Sequence, residues 1–84
     1  MPVFYLNLYD RALVVPDLEG TELPDLGAAR TLALQSIRSM LAEDVLQGLI
    51  DLGGRLDIVD ERGEVVETVP FGEAIELRVE GRQT

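Results

Sequence analysis

The chain predicts a two-layer α+β sandwich, and three observations predict it. One segment, Asp25 to Gln47, is rich in helix formers, with a carboxylate at its start and Gly48 at its stop. Two strand-like stretches precede it and two follow. Turn residues divide each pair. The order β-β-α-β-β lets one long helix cover one face of a four-stranded antiparallel sheet, with a short C-terminal helix or strand after it.

The helix is the clearest element. Asp25 follows Pro24 and can accept from the free N–H groups of the first turn, as an N-cap does. Its charge also suits the positive end of the helix dipole. No Gly or Pro interrupts Ala28 to Gln47. Gly48 can turn left-handed without a Cβ clash, as a C-cap requires. Leu26, Ala33, Leu34, Ile37, Met40, Leu41 and Val45 share one stripe at helical period, and Gln35, Arg38, Ser39 and Ala42 lie opposite. Arg30 and Asp44 interrupt the stripe. Either each snorkels to water from a stripe end, or Arg30 pairs with a carboxylate from a neighbouring loop. Leu32 lies off the stripe and reads as a lone exposed leucine.

Val3 to Tyr9 alternates, with Phe4, Leu6 and Leu8 on one side and Val3, Tyr5, Asn7 and Tyr9 on the other. Asp10-Arg11 is a short turn, Ala12 to Val15 a second strand, and Pro16 its end. Asp17-Leu18-Glu19-Gly20 fits a four-residue turn, Asp first and Gly last. Thr21-Glu22-Leu23 is an extended link to the helix. After Gly48, Leu49 to Leu52 is expected to pack under the helix end, and Gly53-Gly54 breaks the chain. Arg55 to Asp60 is the third strand, with Leu56 and Ile58 inward. Asp60-Glu61-Arg62-Gly63 fits a hairpin turn closed by glycine. Glu64 to Val69 is the fourth strand, ended by Pro70. Phe71 to Leu77 is expected to form a short helix, although 75–80 alternates like a strand. The domain is expected over residues 1–80, with 81–84 a frayed tail.

Composition excludes more chemistry than it suggests. The chain has 84 residues and a net charge of −9, with no His and no Cys. All seven basic residues are arginine. So acidic a surface repels phosphate backbones and anionic membranes, and neither nucleic acid nor membrane is an expected partner. Lysine Schiff bases, thiolates and the histidine general acid–base group are all unavailable. Ser36, Ser39, Thr21 and Thr68 therefore have no activating base. No stretch has the length of a signal segment or a membrane span, so the expected location is cytoplasmic.

Asp17, Glu19, Glu22 and Asp25 put four carboxylates into nine residues. An EF-hand requires Gly at the sixth position and Glu at the twelfth. Counted from Asp17, Gly20 is fourth and Ala28 twelfth, so the motif fails. The expected roles are structural: Asp17 opens a turn, Asp25 caps the helix, and Glu19 and Glu22 are solvated. Asp57, Asp60, Glu61 and Glu64 read likewise as a soluble hairpin end. No metal, cofactor or catalytic residue is expected.

The loop and helix start, Pro16-Asp17-Leu18-Glu19-Gly20-Thr21-Glu22-Leu23-Pro24-Asp25-Leu26 followed by Ala28-Ala29-Arg30, resemble a family of short bacterial proteins of unknown function, common in alphaproteobacteria. Leu52 and Gly54 before the third strand, and the Val69-Pro70-Phe71 step with Ala74, also match. The resemblance runs from Phe4 to about Leu77. It departs at Asp10-Arg11, where that family often has Asp-Gly, and at Gly72, where Ala or Ser is usual. It implies no catalytic residue, and it suggests that the acidic loop and Arg30 form a structural latch.

The remaining feature is the second face of the sheet. Val3, Tyr5, Tyr9, Val14, Val59 and Val66 are expected on it, and a fully solvated face would be more polar. Either the tail covers this face or another chain does; the expected function is a small non-catalytic protein-interaction module that self-associates as a homodimer through that face or an edge strand. The alternative is an antitoxin-like or regulatory subunit that binds a basic protein. Asp25, Arg30, Asp17, Gly20, Gly48 and Gly63 are expected to hold the fold.

Overall fold

A computed structural model describes residues 1–11 and 13–78. The elements run β1 (Val3–Asp10), β2 (Leu13–Val15), β3 (Thr21–Glu22), α1 (Leu26–Leu46), β4 (Arg55–Val59) and β5 (Val65–Pro70), then a 3-10 turn, Phe71–Ala74. The fold is α+β, with one long helix on an antiparallel sheet. The sheet has five strands, not four, in the order β2-β1-β4-β5, with β3 also on β1. The extra strand is Thr21–Glu22, which the sequence offered only as an extended link; two residues are too few for alternation to show.

β2 and β3 share one edge of β1, end to end. Val14 pairs with Tyr9 and Val15 with Leu8, whereas Thr21 pairs with Phe4 and Glu22 with Val3. Between them the Pro16–Gly20 loop leaves the edge, and Asp17 fills the gap. Its carboxylate accepts from the Leu6 amide at 3.1 Å and the Gly20 amide at 3.1 Å. Its own amide donates to the Asn7 side-chain oxygen at 2.8 Å. Backbone donors lacking a strand partner need some acceptor, and the aspartate supplies it.

Both helix caps follow from their residues. Asp25 stands at the N-cap with extended backbone and accepts from Ala28 N at 2.8 Å. At the other end Gly48 has φ +85°. Its amide donates to the Val45 carbonyl and the Leu49 amide to the Asp44 carbonyl, the paired bonds of a Schellman stop.

The helix buries Ala29, Ala33, Ile37 and Leu41, one residue every four, against Phe4, Leu56, Ile58, Val69, Phe71 and Ala74. The two alanines bring the backbone close to the sheet. Leu26, Leu34 and Met40 are only partly buried, and Val45 is exposed. Length explains the exposure. At about 1.5 Å per residue α1 spans ~31 Å, against ~16 Å for the five residues of β4 at about 3.3 Å each. The last turn overhangs, leaving Leu46 83% exposed and Leu49 and Ile50 exposed beyond it. Of the segment expected to pack under the helix end, Leu52 alone meets the core. Arg11 ties the β1–β2 turn to this linker through Asp51 at 2.5 Å.

The C-terminal segment completes the core. Phe71 and Ala74 are buried, and the turn they form is a single 3-10 turn rather than a helix to Leu77. Arg38 Nε donates to the Ala74 carbonyl at 2.5 Å. The Phe71 ring lies against Gly54, where any Cβ would strike the ring and come within 2.5 Å of the Tyr9 carbonyl oxygen. Beyond this turn, residues 75–78 form no regular element, and the tail expected to fray, 81–84, lies outside the described residues.

Candidate functional site

Register places the open face of the sheet in rows across the strands. Tyr5, Val59 and Val65 form one row, Asn7, Asp57 and Thr68 the next, and Val14, Tyr9, Arg55 and Pro70 the third. Val3 extends the first row along β1, by the same alternation as Tyr5. Thus Val3, Tyr5, Tyr9, Val14 and Val59 share one face. Val66 is the extra residue of the β5 bulge opposite Ile58 and Val59, and it is exposed. Gly20 borders this surface: a Cβ there would lie 2.6 Å from the Val3 side chain and 2.8 Å from the Tyr5 ring.

The middle row is polar and satisfied. Asp57 is 6% exposed. Its Oδ1 accepts from the Thr68 hydroxyl at 2.9 Å and lies 3.4 Å from Arg55 Nε. The Arg55 guanidinium sits 4.2 Å from the centroid of the Tyr9 ring, a favourable place for a cation over an aromatic face. These interactions overturn the expectation that Asp57 belongs to a solvated hairpin cluster. It is a mid-strand residue facing across the sheet, two strand positions from the turn. Alternation marked its side of the strand, but its partners lie on β5 and on its own strand two residues back.

Among the hairpin acids, Asp60 has a defined role. Its carboxylate accepts from the Arg62 and Glu64 amides, each at 2.9 Å, and Gly63, at φ +85°, donates to the Asp60 carbonyl. The Glu64 amide above all, then the Arg62 amide and guanidinium, hold the Asp60 carboxyl below the usual carboxylate range. Asp51 is lowered in the same way, first by the Gly53 amide and then by Arg11.

Arg30 does pair, but not with the acidic loop. Its guanidinium bridges Glu67 on β5 and Glu73 on the 3-10 turn, the latter at 2.7 Å. These two carboxylates raise its pKa above the ordinary guanidinium value. The acidic loop is instead held by Asp17 on β1 and by the Asp25 cap. The expected latch is therefore two separate devices. One closes the sheet edge, and the other fastens the C-terminal segment to the helix.

The architecture is that of a small α+β domain with one sheet face covered by a helix and the other carrying a mixed apolar and neutralised polar surface. Residues 3–72 match the family described as a domain of unknown function, DUF6894, and the chain belongs to that family. No curated protein and no solved structure matches it. Among the described residues, no helix is long and apolar enough to cross a membrane.

Proposed function

We propose that this protein is a non-catalytic protein-interaction module that pairs with a second copy of itself through the open face of the sheet. The observation that carries this reading is the charge of that face. The chain has a net charge of −9, yet Arg55 and Asp57 are the only formal charges in the three rows, and they cancel. Glu22, opposite Val3, stands at the border of this face, and most of the net charge lies outside the three rows, so two copies repel least here. The valines and tyrosines flanking the polar row offer apolar area, and the Arg55 charge is balanced from within the same copy by the buried Asp57, so a two-fold axis can match this face with itself.

Sedimentation equilibrium tests it. The mass should rise from 9.2 kDa towards twice that as concentration increases from micromolar to millimolar. Val14→Glu and Val65→Glu, at exposed positions of this face, should hold the protein at monomer mass without lowering its melting temperature. A constant monomer mass for the unmodified chain would refute the pairing.

The same net charge favours a second reading, a regulatory subunit that neutralises a basic protein. That association would use the acidic surfaces and weaken steeply with salt. Pairing through the neutral face would persist.

A further inference from the structure

The side of the sheet beneath the helix is not evenly covered. α1 packs over β4, β5 and the 3-10 turn rather than centrally over β1, because Phe71 and Ala74 draw it to that side. Leu6 and Leu8 of β1 remain half-buried. Above them lies a groove of about 350 Å³ between the helix and the sheet edge. Leu32 and Ser36 form the helix wall, and Val15 and Asp17 stand on the opposite side. Leu32 is therefore not the lone exposed leucine that its place off the stripe suggested. It is half-buried and faces the groove.

Among the described residues, Asp17 is the only charged one lining the groove. It is half-buried, and both carboxylate oxygens already accept backbone amides. Covering it with a neutral apolar guest would strip its remaining water without replacement, which is costly for a carboxylate. An anionic guest would add repulsion, from Asp17 itself and from a chain of net charge −9. A cationic head completes the carboxylate with a charge-assisted hydrogen bond, and an aliphatic body removes Leu6, Leu8 and Leu32 from water. At roughly 30 Å³ for each water-sized group, the groove holds about a dozen heavy atoms.

We propose that this groove binds a small amphipathic cation, a short aliphatic chain bearing an ammonium or guanidinium head, with the chain over Leu6, Leu8 and Leu32 and the head at Asp17. The site lies on the helix side of the sheet, so it neither requires nor excludes pairing through the open face.

The test is an NMR titration of the full chain with octylammonium, alongside octanol and octanoate at equal concentrations below micelle formation. Octylammonium should give saturable shifts at Leu6, Leu8, Leu32 and Ser36. Octanoate should bind at least tenfold more weakly, with octanol between them. Leu32→Gln, at a half-buried helix position, should weaken octylammonium at least tenfold while the melting temperature holds. Asp17→Asn should bring octylammonium down to the level of octanol. Octanoate binding as well as octylammonium, or no saturable shift with octylammonium, would each overturn the proposal.

Discussion

The Asp17 carboxylate stands where a strand would be, 3.1 Å from the Leu6 amide. β1 is edged by two short strands laid end to end, and one side chain bridges the break. Asp17→Ala leaves the Leu6 and Gly20 amides without this acceptor in a partly buried place. The expected loss is about 1–3 kcal/mol of stability in urea unfolding. Asp17→Asn, which keeps one acceptor oxygen, should lose less. Equal stability of Asp17→Ala and the unmodified chain would mean that water replaces the carboxylate fully.

The C-terminal segment is held by packing more than by charge. Phe71 is fully buried, and Phe71→Ala should cost about 3–5 kcal/mol. The Arg30 pairs with Glu67 and Glu73 are partly solvated. Arg30→Ala should therefore cost clearly less than Phe71→Ala, and its effect should shrink in high salt. A double-mutant cycle with Glu67→Gln isolates the pair; additive losses would show that the two residues do not couple.

Gly54 is required by space. Gly54→Ala places a methyl into the Phe71 ring and against the Tyr9 carbonyl, so the 3-10 turn must move. We expect a lowered melting temperature and shifted Phe71 ring resonances. Gly72→Ala, which meets nothing within 4 Å, is the control and should leave both unchanged.

Acid should destabilise the fold through Asp51 and Asp60. Both carboxyls are held below the ordinary range in the folded chain, so on acidification the unfolded chain takes up their protons first. Their contribution is present above the ordinary carboxylate pKa of about 3.9 and is lost as pH falls through the lower folded values. Urea midpoints should decline below about pH 5. Asp60→Asn, which retains an acceptor for the turn, should flatten that decline. An unchanged slope would remove Asp60 as a source.

The sequence made some of this legible and hid the rest for physical reasons. The helix limits could be read because Asp25 and Gly48 act locally, within a turn of their own positions. The Asp60–Gly63 turn was legible on the same grounds. β3 was not, since two residues carry no period. The partners of Arg30 lie 37 and 43 residues away, beyond any local pattern. The place of Leu32 depends on which side of the sheet the helix rests, and buried Phe71 and Ala74 decide that. Of the open face, alternation placed Val3, Tyr5 and Tyr9 together. The neutralised row of Asn7, Asp57 and Thr68 emerged only with cross-strand register.

Pairing through that face is tested most directly by NMR on an equal mixture of isotope-labelled and unlabelled chains, recorded for contacts between copies. Contacts from the Tyr5 and Tyr9 rings of one copy to the Val59 and Val65 methyls of the other are the predicted result. No contact between copies at millimolar concentration, or contacts confined to the helix side around Leu32 and Leu46, would contradict it.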